Sequence, residues 1–448
     1  MANPQTFILG TGIIGLSSAY YLSLSLSALP SSIHLIDPSP TLFASASGFA
    51  GGLLAEDWFG AELEELGRFS FRLHRELAEQ YGGREKWGYL RSSGVSYSAG
   101  KVGKGRRGER GEDWLRQGGS RGDVVGVSEA YVNDNEPAWL KREEGDSIEV
   151  IGEEGSLAQV YVIPPKQQFM TMPQTKANKN SDPLRLCKFL LQACLSHGVQ
   201  LHHPARAISL GKDMRDELSS IKILNTSTNA VSEIPCTRLL ISAGAWSPQV
   251  FSTLFPDSKL KLPISSLAGH SLVVRSPRWG KEQEERGCHA VFTTDEAGYS
   301  PEIFSRMGEE IYVAGLNSSS LPLPSLATES CIDESAIAKL KKTAQRLLGE
   351  DDIEIVRQGL CYRPVTRRGT PVLARIEDET LGDFRTRGSG DGGVFVAAGH
   401  GPWGITNSLG TGKVMSEMIE GKETSADVSQ LGLLWTVGKV ERVLYVRK

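Results

Sequence analysis

The sequence predicts an α/β fold in two interleaved parts: a parallel-sheet part that opens with a βαβ unit, and an antiparallel-sheet α+β part inserted between its pieces. Three observations carry that expectation. A strand, a glycine turn, a helix and a second strand follow one another at the N-terminus; a strand, a glycine turn and a helix recur near the C-terminus; and β-rich runs separated by polar turns lie between them.

Taken in order, Thr6-Phe7-Ile8-Leu9 reads as a short apolar strand, Leu16 to Leu26 as a helix, and Ser32 to Asp37 as a strand ending at Pro38. After a loop at 44–58, the residues Leu63, Leu66, Phe69, Leu73 and Leu77 recur at helical spacing, which predicts a core-facing amphipathic helix over Glu62 to Gln80. Residues 101–122 carry seven Lys/Arg, three acidic residues and little apolar surface, so they are expected to be a disordered surface insertion. A second polar break, Pro173 to Pro183, precedes a helix from Leu184 to His197. Gln200 to His203 and Arg238 to Ser242 look like strands. Adjacent strand residues point to opposite faces, which argues against a metal site at His202-His203.

Ser271 to Arg275 and Glu310 to Gly315 predict antiparallel strands, Asp333 to Leu348 a helix, and α/β character returns from Gly359. These boundaries allot 1–95, 184–265 and 355–433 to the parallel-sheet part and 96–183 and 266–354 to the second part, with a tail at 434–448 left unassigned.

At 448 residues the chain can bury a large core without metals or disulfides. A net charge of −4 argues against a nucleic-acid partner, which would need a basic surface. The six cysteines form no CxxC pair and no zinc-like cluster, so they are expected as reduced thiols, with no metal site. The apolar opening from Phe7 to Leu29 lacks a basic start and is broken by Gly10, Gly12 and Gly15, unlike a signal peptide. No other stretch approaches the roughly 20 apolar residues of a membrane span. The expected compartment is the cytoplasm.

The pattern GxGxxG is weak alone, with roughly 0.6 chance matches expected at this glycine content. It occurs four times, starting at Gly10, Gly103, Gly388 and Gly399. The match at Gly103 falls in the polar insertion, and the one at Gly388 precedes a strand and reads as a turn. Gly10-Thr11-Gly12-Ile13-Ile14-Gly15 follows a strand and opens a helix, and Asp37 ends the next strand 22 residues beyond Gly15. That is the Rossmann-like arrangement, in which backbone and helix end approach a pyrophosphate while the acid takes the ribose hydroxyls. At the far end, the strand Val394 to Ala398 runs into Gly399-His400-Gly401-Pro402-Trp403-Gly404-Ile405-Thr406 and a helix from Leu409 to Ile419, a second place where backbone donors can meet an anion.

These motifs, with Arg238 to Ser247 (RLLISAGAWS) and Gly359 to Thr366 (GLCYRPVT), resemble the D-amino-acid oxidase superfamily of FAD-dependent oxidoreductases, which includes glycine and sarcosine oxidases. The likeness spans residues 6 to about 432 and is nearest to fungal members of unsettled substrate. It implies a glutathione-reductase type FAD-binding domain with an interleaved substrate domain.

Carried over by position, the resemblance implies FAD contacts at Gly10, Gly12, Ile13, Ile14, Gly15 and Asp37. It adds a pyrophosphate and flavin loop at Ser45, Ser47, Gly48, Gly51, Gly52 and Leu53, an adenine contact at Ala207, and a small-residue turn at Ala243 and Gly244 beside Trp246. Gly399, His400, Gly401, Trp403, Gly404, Ile405 and Thr406 are then expected at the N1/O2 edge of the flavin, with His400 supporting the cofactor rather than acting as base. Lys413 could add positive charge there or simply be solvated.

Tyr362 and Arg363 become the expected catalytic residues, because the family places an arginine before proline where a planar guanidinium can grip a substrate carboxylate. Cys361 matches the position from which monomeric sarcosine oxidase attaches its flavin through sulfur; an inert core thiol is the competing reading.

The activity implied is hydride transfer from a small amine or amino acid to flavin N5, imine hydrolysis, and reoxidation by molecular oxygen. Arg367-Arg368 depart from the pattern, since relatives often carry an acid before this glycine. A second reading therefore stays open: an FAD-binding regulatory protein, for instance of endosome–Golgi trafficking and late-endosome association, with vestigial oxidation. A third, an NAD-dependent dehydrogenase, does not account for the C-terminal glycine turn.

Overall fold

A computed structural model describes residues 4–98, 137–143, 146–151, 157–160, 185–293, 299–388, 390–437 and 440–443. The insertion expected at 101–122 and the break Pro173 to Pro183 lie outside the described residues.

Six strands form the first sheet, in the order Val372–Ile376, Gly393–Ala398, Arg238–Ile241, Thr6–Leu9, Ile33–Ile36, Gln200–His202. All pairings are parallel except that of the edge strand Val372–Ile376 with its neighbour. Continuous apolar strands of this kind must be covered on both faces, and the alternation of side chains supplies two cores. Ile8, Leu35, Leu240 and Phe395 pack beneath the helices Ile13–Ser23, Arg185–His197 and Ser408–Ile419. Phe7, Leu9, Leu239, Ile241, Val394 and Val396 pack on the other side against the helix Ser247–Leu254 and a three-stranded sheet, Ala205–Lys212, Leu218–Asn225 and Val231–Pro235. Each fully buried aliphatic side chain contributes about 1.5–3 kcal/mol.

The first helix starts at Ile13, inside the glycine fingerprint, and ends at Ser23. The apolar run points to Leu16 through Leu26. Leu24 and Leu26 are 50% and 106% exposed, so the run outlasts the stretch that the core covers.

The second sheet contains Glu354–Thr366, Ile264–Arg275, Glu310–Ser318, Glu302–Arg306, Cys288–Thr293, Leu90–Ser98, Leu157–Gln159 and Leu53–Ala55 in that order, with Ser147–Ile151 also paired to Leu90–Ser98. Its pairings are antiparallel apart from Cys288–Thr293 with Leu90–Ser98. Strands at 53–55, 90–98 and 354–366 thus join this sheet, whereas the boundaries expected from the sequence allot most of those residues to the parallel-sheet part. Strand partners, not composition shifts, decide which part a segment joins.

The helix Glu334–Leu348 is capped by Asp333, whose carboxylate accepts from the Ser335 N–H at 2.8 Å, and it covers this sheet with Leu340 and Leu347. In the tail, Leu434–Val437 and Val440–Val443 form a hairpin. All six cysteines are free thiols, five of them buried. Among the described residues no helix is long and apolar enough to cross a membrane, and no cluster of three metal-ligating side chains occurs.

Candidate active site

Leu9 is level with Ile241, and Ile241 with Val396, in three adjacent parallel strands. The turns that follow those strands therefore leave one edge of the sheet together, at Gly10, Ser242 and Gly399. This is how two glycine turns 389 residues apart in sequence come to border one space. A cavity of about 690 Å³ opens there. Crevices at the carboxyl ends of parallel strands are where such folds hold ligands.

One end of the cavity is built around Asp37. Its two carboxylate oxygens accept from the Thr11 and Ser39 backbone N–H groups, both at 3.0 Å. Burial nevertheless raises its carboxyl above the usual range, against those donors. A carboxylate has about four lone-pair sites, so it can still receive ribose hydroxyls. Arg206, Ala207 and Thr226 line this end.

In the middle, Gly10 takes φ +108°, and a Cβ there would stand 2.6 Å from the Ser242 carbonyl oxygen. The helix Ile13–Ser23 begins at Gly12 with no cap from that residue's own side chain, while the Ile13 N–H donates to Ser47 Oγ at 3.0 Å. Gly12, Ile13 and Ile14 line the cavity, so the positive end of this helix faces it.

The loop carrying Ser45, Ser47, Gly51, Gly52 and Leu53 forms the next stretch of wall. Its carbonyls are held from the second sheet. Arg306 donates to the Ala50 and Gly51 oxygens at 3.0 and 2.8 Å. Arg357 donates to Gly48 at 2.9 Å, and the Tyr312 hydroxyl to Phe49 at 3.3 Å.

Ala243 packs against Gly10, and with Gly244 and Trp246 it lines the cavity, into which Cys361, Tyr362 and Arg363 arrive on one strand and His400, Gly401, Gly404 and Ile405 on the C-terminal turn. The Trp246 indole N–H donates to Pro324 at 2.8 Å, and its ring meets Tyr362 edge-on at 6.2 Å. Arg363 lies across Gly269, where a Cβ would touch its Nη1, and donates to Asn317 Oδ1. His400 is buried and paired through Nε2 with the Thr411 hydroxyl at 3.1 Å. Burial pushes its pKa down to about 3, which keeps the imidazole neutral.

Five expected residues stand behind this wall. Gly15, Gly48 and Gly399 are closed in by neighbouring atoms 2.0, 2.0 and 2.5 Å from where a Cβ would be. Trp403 packs edge-on to Phe59 at 5.1 Å, and Thr406 donates to the Leu53 carbonyl at 3.1 Å. Lys413 pairs with Glu417 at 3.0 Å, one turn along its helix. Arg368 donates to the Gln430 and Gly432 carbonyls, pinning the chain that leads to the tail. His202 bonds to His34 and His203 to the Ser39 carbonyl, so the two rings part.

Sequence reasoning missed Glu302, Phe304 and Tyr312, which also line the cavity, and Arg306 and Arg357, which brace its loop. Their only signal is a charged or aromatic residue at every second position of a strand.

An FAD fits this set of groups: an acid at one end, a helix end and close-packed glycine turn in the middle, and a braced backbone loop beyond. The model of the family described as FAD dependent oxidoreductase matches residues 5–418. The Schizosaccharomyces pombe protein C1F5.03c, named as an oxidoreductase, is 27% identical over 96% of this chain and 98% of its own length. Glycine oxidase from Geobacillus kaustophilus has a similar fold, with a TM-score of 0.65 at 19% identity over 98% of this chain and all of that one. L-amino acid deaminase from Proteus myxofaciens gives 0.64 at 12% identity over 97% and 93% of the two chains.

Proposed function

The chain belongs to the family of FAD-dependent oxidoreductases, and on that footing we propose that it oxidises the C–N bond of a small amine or amino acid, with molecular oxygen as electron acceptor. FAD, when bound, supplies the hydride acceptor. The observation that carries the reading is the guanidinium of Arg363 on the wall of a cavity that both glycine turns border. A planar guanidinium can hold a carboxylate through two parallel hydrogen bonds, and so fix which C–H bond of the substrate faces the cofactor. Tyr362 and Trp246, whose rings meet edge-on at 6.2 Å, add apolar surface to the cavity wall. The glycine oxidase and L-amino acid deaminase that share the fold act, by their names, on amino acids, which accords with this substrate class.

In the same reading Asp37 takes the ribose hydroxyls, the helix end at Gly12 to Ile14 takes the pyrophosphate, and neutral His400 supports the ring without acting as base. The purified yellow protein, held without air, is expected to bleach on addition of one class among D-amino acids, N-methyl amino acids and cyclic imino acids, and to release peroxide in air. If no amine bleaches it, the regulatory reading takes its place. Acid precipitation decides the role of Cys361. Flavin that stays with the wild-type precipitate but leaves Cys361→Ser establishes a sulfur link; flavin wholly in the supernatant establishes non-covalent binding.

A further inference from the structure

At the substrate end the cavity wall carries a carboxylate as well as a guanidinium. Glu302 opens the strand Glu302–Arg306, is 9% exposed, and lines the same cavity as Arg363. Register explains why it faces inward. Glu302 is opposite Ala314 and Phe304 is opposite Tyr312, and residues directly opposite in an antiparallel pair share a face. That face also holds Arg306, whose guanidinium donates to the Ala50 and Gly51 carbonyls and lies 4.5 Å over the Tyr312 ring.

Arg363 comes from the other direction. Its strand, Glu354–Thr366, is separated from Glu310–Ser318 by Ile264–Arg275, and the missing side chain at Gly269 lets the guanidinium cross that intervening strand to reach Asn317. The charge of Glu302 acts on Arg363, and the Tyr312 hydroxyl feels both together with Arg306 and Cys361, so these side chains form one electrostatic group.

We propose that Glu302 is a specificity-determining residue that binds the ammonium group of the substrate while Arg363 binds its carboxylate, so that the site selects zwitterions carrying one carboxylate and rejects dicarboxylates. The inference rests on the proposed amine or amino-acid site. Its chemistry is charge matching in a water-poor pocket. A zwitterion satisfies both protein charges, whereas a dicarboxylate satisfies Arg363 and places a second negative charge beside a buried carboxylate. The alternative is that Glu302 serves only as a counter-ion that balances Arg363.

The holoprotein tests this without turnover, because ligands beside a flavin perturb its visible absorption. Three probes are titrated at neutral pH: benzoate, aminomethylbenzoate and isophthalate. On the wild-type protein, aminomethylbenzoate is expected to bind about tenfold or more tighter than benzoate, and isophthalate about tenfold or more weaker. In Glu302→Gln the advantage of the ammonium group is expected to vanish, with the yellow spectrum retained. The proposal is overturned if aminomethylbenzoate binds no better than benzoate to the wild type, or if its advantage survives in Glu302→Gln as the counter-ion role requires. The wild-type comparison stands even if that variant does not fold. Discrimination among probes with no amine able to bleach the flavin would leave the charge-matching site in place and refute the oxidation reading alone.

Discussion

Replacing Arg306 by methionine tests whether the second sheet sets the shape of the cavity loop at 45–53. In the wild-type structure Arg306 is buried and makes two charge-assisted hydrogen bonds, to the carbonyls of Ala50 and Gly51 at 3.0 and 2.8 Å. Bonds to a charged group contribute about 1.5–3 kcal/mol each, so about 3–6 kcal/mol of local constraint is removed. Methionine fills much of the same space and exchanges the cation–π contact with the Tyr312 ring for a weaker sulfur–aromatic one. The loop can recover part of the loss by turning its freed carbonyls toward water, so the part that reaches cofactor binding is about half, on the order of 1.5–3 kcal/mol. That corresponds to a rise of about 10- to 100-fold in the dissociation constant for FAD. The assay strips the cofactor, titrates FAD back by quenching of its fluorescence, and records the melting temperature with and without it. A folded Arg306→Met protein that binds FAD within about twofold of the wild type would refute the positioning role.

Three further outcomes are expected. Gly52 takes φ +89°, and a Cβ there would stand 2.2 Å from the Val160 carbonyl oxygen, so Gly52→Ala should lower the melting temperature by several degrees and release FAD on gel filtration, given strain of about 1–3 kcal/mol; an unchanged melt would contradict the loop geometry. Arg363→Ala should raise the Michaelis constant of carboxylate-bearing substrates by about 10- to 100-fold and that of plain amines far less, and equal effects would remove the arginine from substrate binding.

The third concerns pH. Burial lowers the pKa of His34, His74 and His289 to about 4 and that of His400 to about 3. The unfolded chain therefore binds more protons than the native one, and the stability these groups contribute is whole above about pH 6.5 and is lost as pH falls toward 4. Asp37 and Glu284, whose carboxyls burial raises, oppose that trend. Melting temperatures should be flat above neutrality and fall between pH 6 and 4.5, less steeply in His34→Gln; a flat profile down to pH 4.5 would show that these imidazoles are not buried as neutral groups.

How the site is assembled shows what is legible in the chain and what is not. Gly10, Gly12 and Asp37 announce themselves because the βαβ fingerprint requires particular residues at particular spacings. The helix Glu334–Leu348 and its Asp333 cap follow from local rules in the same way. Arg363 and Cys361 are found by resemblance of their segment, and the cavity then receives both. The first helix is recognised but misplaced at both ends, because a run of apolar residues does not record where the core stops covering it.

By itself, then, the sequence determined the parallel sheet, the two glycine turns and the acid between them. Only the tertiary structure decided that those turns share one sheet edge, and that Glu302, Tyr312, Arg306 and Arg357 reach the site. The reason is geometric. A period of two says which strand residues lie on a common face, but which face meets a cavity is set by the strand's partners, and those partners lie far away in the chain.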